Sequence, residues 1–197
     1  IEKLDFDFAS CGYALCIVDT GGSHSDLTDE YAAVRKEMES VAEYLGKSVL
    51  REVDEDEFMK NIADIRSSCG DRAVLRAMHF YGDNARVEKQ AAALKAGDFE
   101  TFKKYIIESG RSSYMYNQNV YSCKKASEQP VSLALSLSEK LLDGCGAWRV
   151  HGGGFAGTIQ AFVPLNKLDE YKDLMEKVFG SSSCYILSVR PVGGVEL

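Results

Sequence analysis

Apolar and polar positions change period several times along the chain, and each change marks an element. The run Tyr13-Ala14-Leu15-Cys16-Ile17-Val18 is apolar throughout and is bounded by Gly12 and by Asp19-Thr20-Gly21-Gly22, as a buried strand would be. After it Tyr31, Val34, Met38, Val41 and Leu45 recur at three- and four-residue steps, which predicts an amphipathic helix with Thr28 placed to cap it and Gly46 to end it. Asp54-Glu55-Asp56-Glu57 reads as a capping box ahead of Phe58, Ile62 and Ile65. Helical patterning continues from Ala73 to Ala96, stops at Gly97, and restarts behind Asp98 with Phe99, Phe102 and Ile106 on one face.

The polar stretch from Gly110 to Gln129, rich in Ser, Asn and Tyr, carries no period that assigns it. Pro130 suits a first helical turn, with Leu133, Leu137 and Leu141 four apart as the expected buried stripe. From Cys145 the pattern reads strand (Ala147 to Val150), glycine turn (Gly152-Gly153-Gly154), strand (Thr158 to Val163), helix (Leu168, Tyr171, Leu174, Met175, Val178) and a last strand, Cys184 to Val189. The order βα…ββαβ predicts an α+β fold, a ferredoxin-like split βαβ sheet with extra helices inserted in its first crossover. With no repeat or linker to divide it, residues 1–197 are expected to form a single domain.

Composition narrows the partners. A net charge of −7 with scattered Lys and Arg argues against a nucleic-acid or anionic-membrane surface. No apolar run approaches the roughly 18 residues that cross a bilayer, and no basic-then-apolar leader opens the chain, so a cytoplasmic protein is expected. The start Ile1-Glu2-Lys3-Leu4-Asp5 lacks an initiator Met, which fits processing or excision from a longer protein. Six cysteines without a C-x-x-C pair or zinc-like spacing to the three histidines read as reduced thiols.

The sharpest local signal is Arg149-Val150-His151-Gly152-Gly153-Gly154-Phe155-Ala156-Gly157. Three glycines permit positive φ and let a partner approach the backbone closely, so the segment serves either as a hairpin turn or as a cradle for an anion or a sugar. It lacks the Lys-Ser/Thr ending of a P-loop and leads into a strand, so it is not an independent nucleotide site. Together with Thr158-Ile159-Gln160-Ala161-Phe162-Val163-Pro164 it resembles the third motif of galactokinases, members of the GHMP kinase superfamily. Ile17-Val18-Asp19-Thr20-Gly21-Gly22-Ser23-His24-Ser25-Asp26-Leu27-Thr28, then Tyr31 and Arg35, resembles the segment that opens their C-terminal domain. Arg76-Ala77-Met78-His79-Phe80, then Asn84, Arg86 and Val87, is similar to their central helical signature.

The resemblance implies a GHMP kinase C-terminal domain without the N-terminal ATP-binding domain. Neither a P-x-G-x-G-L-x-S-S-x run nor a C-G-I-M-D-Q run occurs. ATP and Mg2+ would be held mainly by that other domain, as would the Arg, Glu, His and Asp cluster that grips the sugar and the Asp base. By position, Tyr31 matches the tyrosine whose hydroxyl contacts galactose or a related hexose, and Gly153 the glycine whose backbone approaches it. Gly152, Gly154 and Phe155 would pack on the ATP side of the cleft. From the residues alone Tyr31 is equally a core side chain, His24 and Asp26 read as loop chemistry, and His79 as a satisfied helix histidine. His151, Ala156, Asn84 and the segment Arg111 to Ser122 depart from the family pattern.

Two readings follow. If the chain is one half of a sugar kinase, inactive alone, it predicts a large exposed apolar and small-residue surface around Gly152 to Phe155 where its own N-terminal domain docks. A non-catalytic binding or regulatory module would have that face covered.

Overall fold

The computed structural model describes residue 4, residues 6–23 and residues 25–189. Strand β1 (Tyr13–Asp19) is followed by α1 (Thr28–Tyr44), α2 (Glu55–Lys60), α3 (Ile62–Cys69), α4 (Asp71–Lys95), α5 (Phe99–Ser112) and α6 (Pro130–Leu142). Then come β2 (Ala147–Val150), β3 (Thr158–Pro164), α7 (Leu168–Phe179) and β4 (Cys184–Leu187). The four strands form one antiparallel sheet in the order β2-β3-β1-β4, the ferredoxin-like split with five helices between β1 and α6.

Both faces of the sheet are covered, which is why β1 is apolar from Tyr13 to Val18. Ala14, Cys16 and Val18 point to one side, into a core with Val131, Ala134 and Leu142 of α6 and Tyr171 and Met175 of α7. Tyr13 and Leu15 point to the other, against Phe99, Phe102 and Phe162. A separate helical core gathers Val41, Phe58, Ile65, Ala77 and Tyr81 from α1 to α4. All six cysteines are free thiols.

Several local expectations need correction. Thr28 is the first residue of α1 and caps nothing; Leu27 stands at the cap without a side-chain hydrogen bond. Asp54 does cap α2, accepting from the N–H groups of Asp56 and Glu57, but Asn61 breaks the run before Ile62 and Ile65 into a second helix. On α6 the buried stripe is Val131, Ala134, Ser138 and Leu142, one position away from the leucines, and Leu133 is exposed. Ser138 explains the rotation: its hydroxyl meets the buried Tyr171 hydroxyl at 2.9 Å, so α6 turns a polar residue inward to satisfy a polar partner. Strand β4 ends at Leu187 rather than Val189.

The unassigned stretch is ordered. Helix α5 runs through Gly110 to Ser112 because Gly110 packs on β2, where a Cβ would lie 3.0 Å from the Arg149 Cβ and 3.1 Å from the Trp148 carbonyl. A wide helical turn, Ser113–Asn117, then ends at Gln118 in a left-handed conformation, φ 54°.

Candidate functional site

Register places the site. Because β1 and β3 are antiparallel with Asp19 opposite Thr158, the loop after β1 and the glycine loop before β3 leave the sheet at the same end. They are stitched together at Thr20, whose N–H and hydroxyl both donate to the Gly157 carbonyl, at 2.9 and 2.6 Å. Gly22 sits so close to Ala156 that a Cβ on it would lie 2.9 Å from the Ala156 Cβ.

Tyr31, in the first turn of α1, lies across the loop. Its hydroxyl donates to the Gly154 carbonyl at 2.8 Å, and its Cε1 would stand 2.7 Å from a Cβ on Gly153. The ring meets Phe155 edge-on, with centroids 5.3 Å apart at 88°. Burial pushes the Tyr31 phenol up from its usual range, opposed by a backbone hydrogen bond from Ala156, so it stays a neutral donor at physiological pH. The structure thus brings Tyr31 and Gly153 into contact.

Gly152 and Gly153 face solvent beside His151, while Gly154, Phe155 and Ala156 are buried. Of the surface expected from Gly152 to Phe155, Gly152 and Gly153 are exposed while Gly154 and Phe155 turn inward. Phe155 takes φ 57°, and its ring turns inward among Leu27, Ala156, Tyr31 and Val34. It forms part of the wall of a hollow of about 620 Å3 with residues 20–23 and 25–27, Ser122, Lys124 and the start of α6, a volume of ligand size. Lys124 there is tied to Asp29 at 3.2 Å and Lys125 to Glu128 at 3.5 Å. Tyr31 instead lines an apolar groove of about 380 Å3 with Val34, Met38, Val49, Leu50 and Phe80.

Sequence reasoning missed Asn119. Its carbonyl accepts the Phe155 N–H and its side-chain Nδ2 donates to the Gly153 carbonyl at 3.1 Å. No spacing rule reaches a partner 34 residues away. Behind it, Arg76 is fully buried, donating from Nε to the Asn117 carbonyl at 3.1 Å and from Nη1 to Glu37 at 2.9 Å. Glu37 also pairs with Arg72. Burial lowers the Arg76 pKa, and the Glu37 carboxylate opposes that.

Of the other candidates, Asp26 lines the same hollow as Phe155 and Ala156, and His79 lies elsewhere, between α4 and α5. His79 hydrogen-bonds Ser112 through Nδ1 at 2.9 Å inside the α4–α5 contact, a helix histidine with a partner. Asp26 adopts φ 66° in the loop, where its carbonyl accepts from Lys124. His24 lies outside the described residues.

No family model matches the chain. Among curated proteins it is 31% identical to human galactokinase over 175 residues, covering 89% of this chain and 42% of that protein. With the galactokinase of Thermosipho africanus it shares 29% over 182 residues, 90% of this chain and 47% of the relative. With that of Actinobacillus pleuropneumoniae the figures are 26% over 164 residues, 83% and 41%. The chain thus spans less than half the length of the curated relatives it matches. Among solved structures, that of Lactococcus lactis galactokinase complexed with galactose matches with a TM-score of 0.67 at 21% identity, over 90% of this chain and 45% of that one, which establishes the fold. Fold and sequence similarity agree: the chain is a member of the galactokinase family and corresponds to the C-terminal part of its full-length relatives.

Proposed function

We propose that this chain forms one wall of the sugar site of a kinase that transfers the γ-phosphoryl group of ATP to the anomeric hydroxyl of galactose, giving α-D-galactose 1-phosphate. The observation that carries the reading is the contact of Tyr31 with Gly153 and Gly154. A neutral phenol beside bare backbone suits a polyol, which carries no charge and needs polar groups that it can approach closely. The relative from Lactococcus lactis was solved complexed with galactose, which supports the sugar half of the proposal.

MgATP is assigned to the N-terminal domain of the full-length enzyme. Among the described residues no group of three or more His, Cys, Asp or Glu side chains is placed to hold a metal ion, and the glycine loop is pinned from behind and runs into a strand. Phosphoryl transfer depends on positioning and on neutralising charge, and a wall that supplies neither is expected to be inactive alone. Gly152, Gly154 and Phe155 contribute the shape of the cleft on the nucleotide side. The domain that docks against this face is the expected partner, in the cytoplasm; no described helix is long and apolar enough to cross a membrane.

The test is ADP release with a panel of hexoses, run on the 197-residue chain and on the longest product of its gene. Turnover of galactose by the longer product alone is the expected outcome. If neither releases ADP with any sugar, the kinase proposal fails and a binding or regulatory module takes its place.

A further inference from the structure

Asn119 lies beneath the glycine loop, 5% exposed, and touches it with both side chain and backbone. Among the described residues there is no cis peptide, so in the Gly153–Gly154 peptide the N–H points opposite to the carbonyl. A Gly153 carbonyl drawn down to the Asn119 Nδ2 therefore turns the Gly154 N–H away from Asn119. Two glycines flank this peptide and leave both signs of φ open, so their own sterics do not select its orientation. The side-chain amide of Asn119 does.

We infer that Asn119 is a positioning residue: it fixes the orientation of the Gly153–Gly154 peptide and, through it, the backbone face that the loop offers to the sugar in the reading proposed above. The other end of the same side chain supports this role. Among the described residues Oδ1 is buried without a hydrogen-bond partner, a cost to folding that an apolar residue of the same size would avoid. What retains the amide is the bond made by Nδ2.

Nuclear magnetic resonance on the 197-residue chain tests the geometry without reference to sugar. In the wild type the Asn119 side-chain NH2 should carry a proton protected about tenfold or more against exchange, with coupling across the hydrogen bond to the Gly153 carbonyl carbon. Free exchange of both protons overturns the inference whether or not any variant folds.

Asn119→Leu removes the donor and the orphaned oxygen together. Gly153 and Gly154 amides should then shift and the Phe155 amide, bonded to the Asn119 carbonyl, should exchange about tenfold faster or more, while amides of β1 and α4 stay within about twofold. Unchanged loop amides, or loosening spread evenly over the fold, would assign Asn119 a structural role only.

The sugar arm uses the longest product of the gene, in which Asn119→Leu should raise KM for galactose about tenfold with kcat altered less than about threefold. If the loop responds as stated while the wild type binds no hexose, the positioning stands and the galactokinase reading falls. If the wild type binds galactose and Asn119→Leu binds it equally well, the positioning role falls.

Discussion

Alanine substitutions along the glycine loop should differ sharply in cost. Gly152 and Gly154 both adopt positive φ, 68° and 79°, so Ala at either position meets the same left-handed strain, about 1–2 kcal/mol. They differ in what the new Cβ meets. At Gly152 nothing lies within 4 Å, whereas at Gly154 the Cβ would stand 1.9 Å from the Asn119 carbonyl oxygen and 2.9 Å from its carbon. Both are backbone atoms, so the loop itself must lift. Lifting it breaks the Asn119 Nδ2 bond to Gly153, the Phe155 N–H bond to Asn119 and the Tyr31 bond to Gly154. Three hydrogen bonds at about 0.5–1.5 kcal/mol each make Gly154→Ala about 1.5–4.5 kcal/mol worse than Gly152→Ala. For a chain of this size the extra loss lowers Tm by about 3 °C at the least, since each kcal/mol moves Tm by about 2–4 °C. Thermal and urea unfolding of the two variants side by side measure it. Midpoints within about 1 °C of each other would refute the clamp against Asn119.

Tyr31→Phe keeps the ring contacts with Gly153 and Phe155 but loses the bond to Gly154, so urea unfolding should show a loss of about 0.5–1.5 kcal/mol; no loss would mean that the hydroxyl does not hold the loop. Glu37→Ala strands the fully buried Arg76 guanidinium and should cost about 3–5 kcal/mol, whereas Glu39→Ala, which frees only the solvent-exposed Arg35, should leave the unfolding midpoint unchanged. Burial depresses the His79 pKa against the pull of Asp83, with Arg86 and Arg149 adding to the depression. The unfolded chain therefore binds the extra proton, and stability present above pH 6.5 should fall as pH drops below it; urea midpoints at pH 7.5 and 5 should separate in the wild type and converge in His79→Gln.

What could be read in the sequence was whatever depends on near neighbours. Strand β1 announced itself because both of its faces are covered, and Asp54 and Asp98 cap helices through bonds within three residues of themselves. The α6 stripe misled because a leucine repeat outweighs a single serine on paper, yet the Ser138 to Tyr171 bond decides which face turns in. The same limit separates the two halves of the site. Tyr31 and Gly153 could be named from the family motifs, but Asn119 acts through partners 34 residues on, and Phe155 faces inward because of backbone bonds that its own neighbours do not dictate.

The central position of β1 also shapes how the chain reaches this structure. Its partners β3 and β4 begin at Thr158 and Cys184, while β1 itself ends at Asp19. At ribosomal rates of roughly 5–20 residues per second, the first strand waits on the order of 10 s for a neighbour. Helices α1 to α4 close their own apolar cluster from near-neighbour segments in the meantime. Tyr31 is then already carried on a packed helix, and the glycine loop arrives with the β2–β3 hairpin that gives β1 its first partner. The glycine-loop surface thus forms late, ahead only of α7 and β4, and chains halted before Pro164 would expose the apolar faces of β1 to chaperones and proteases.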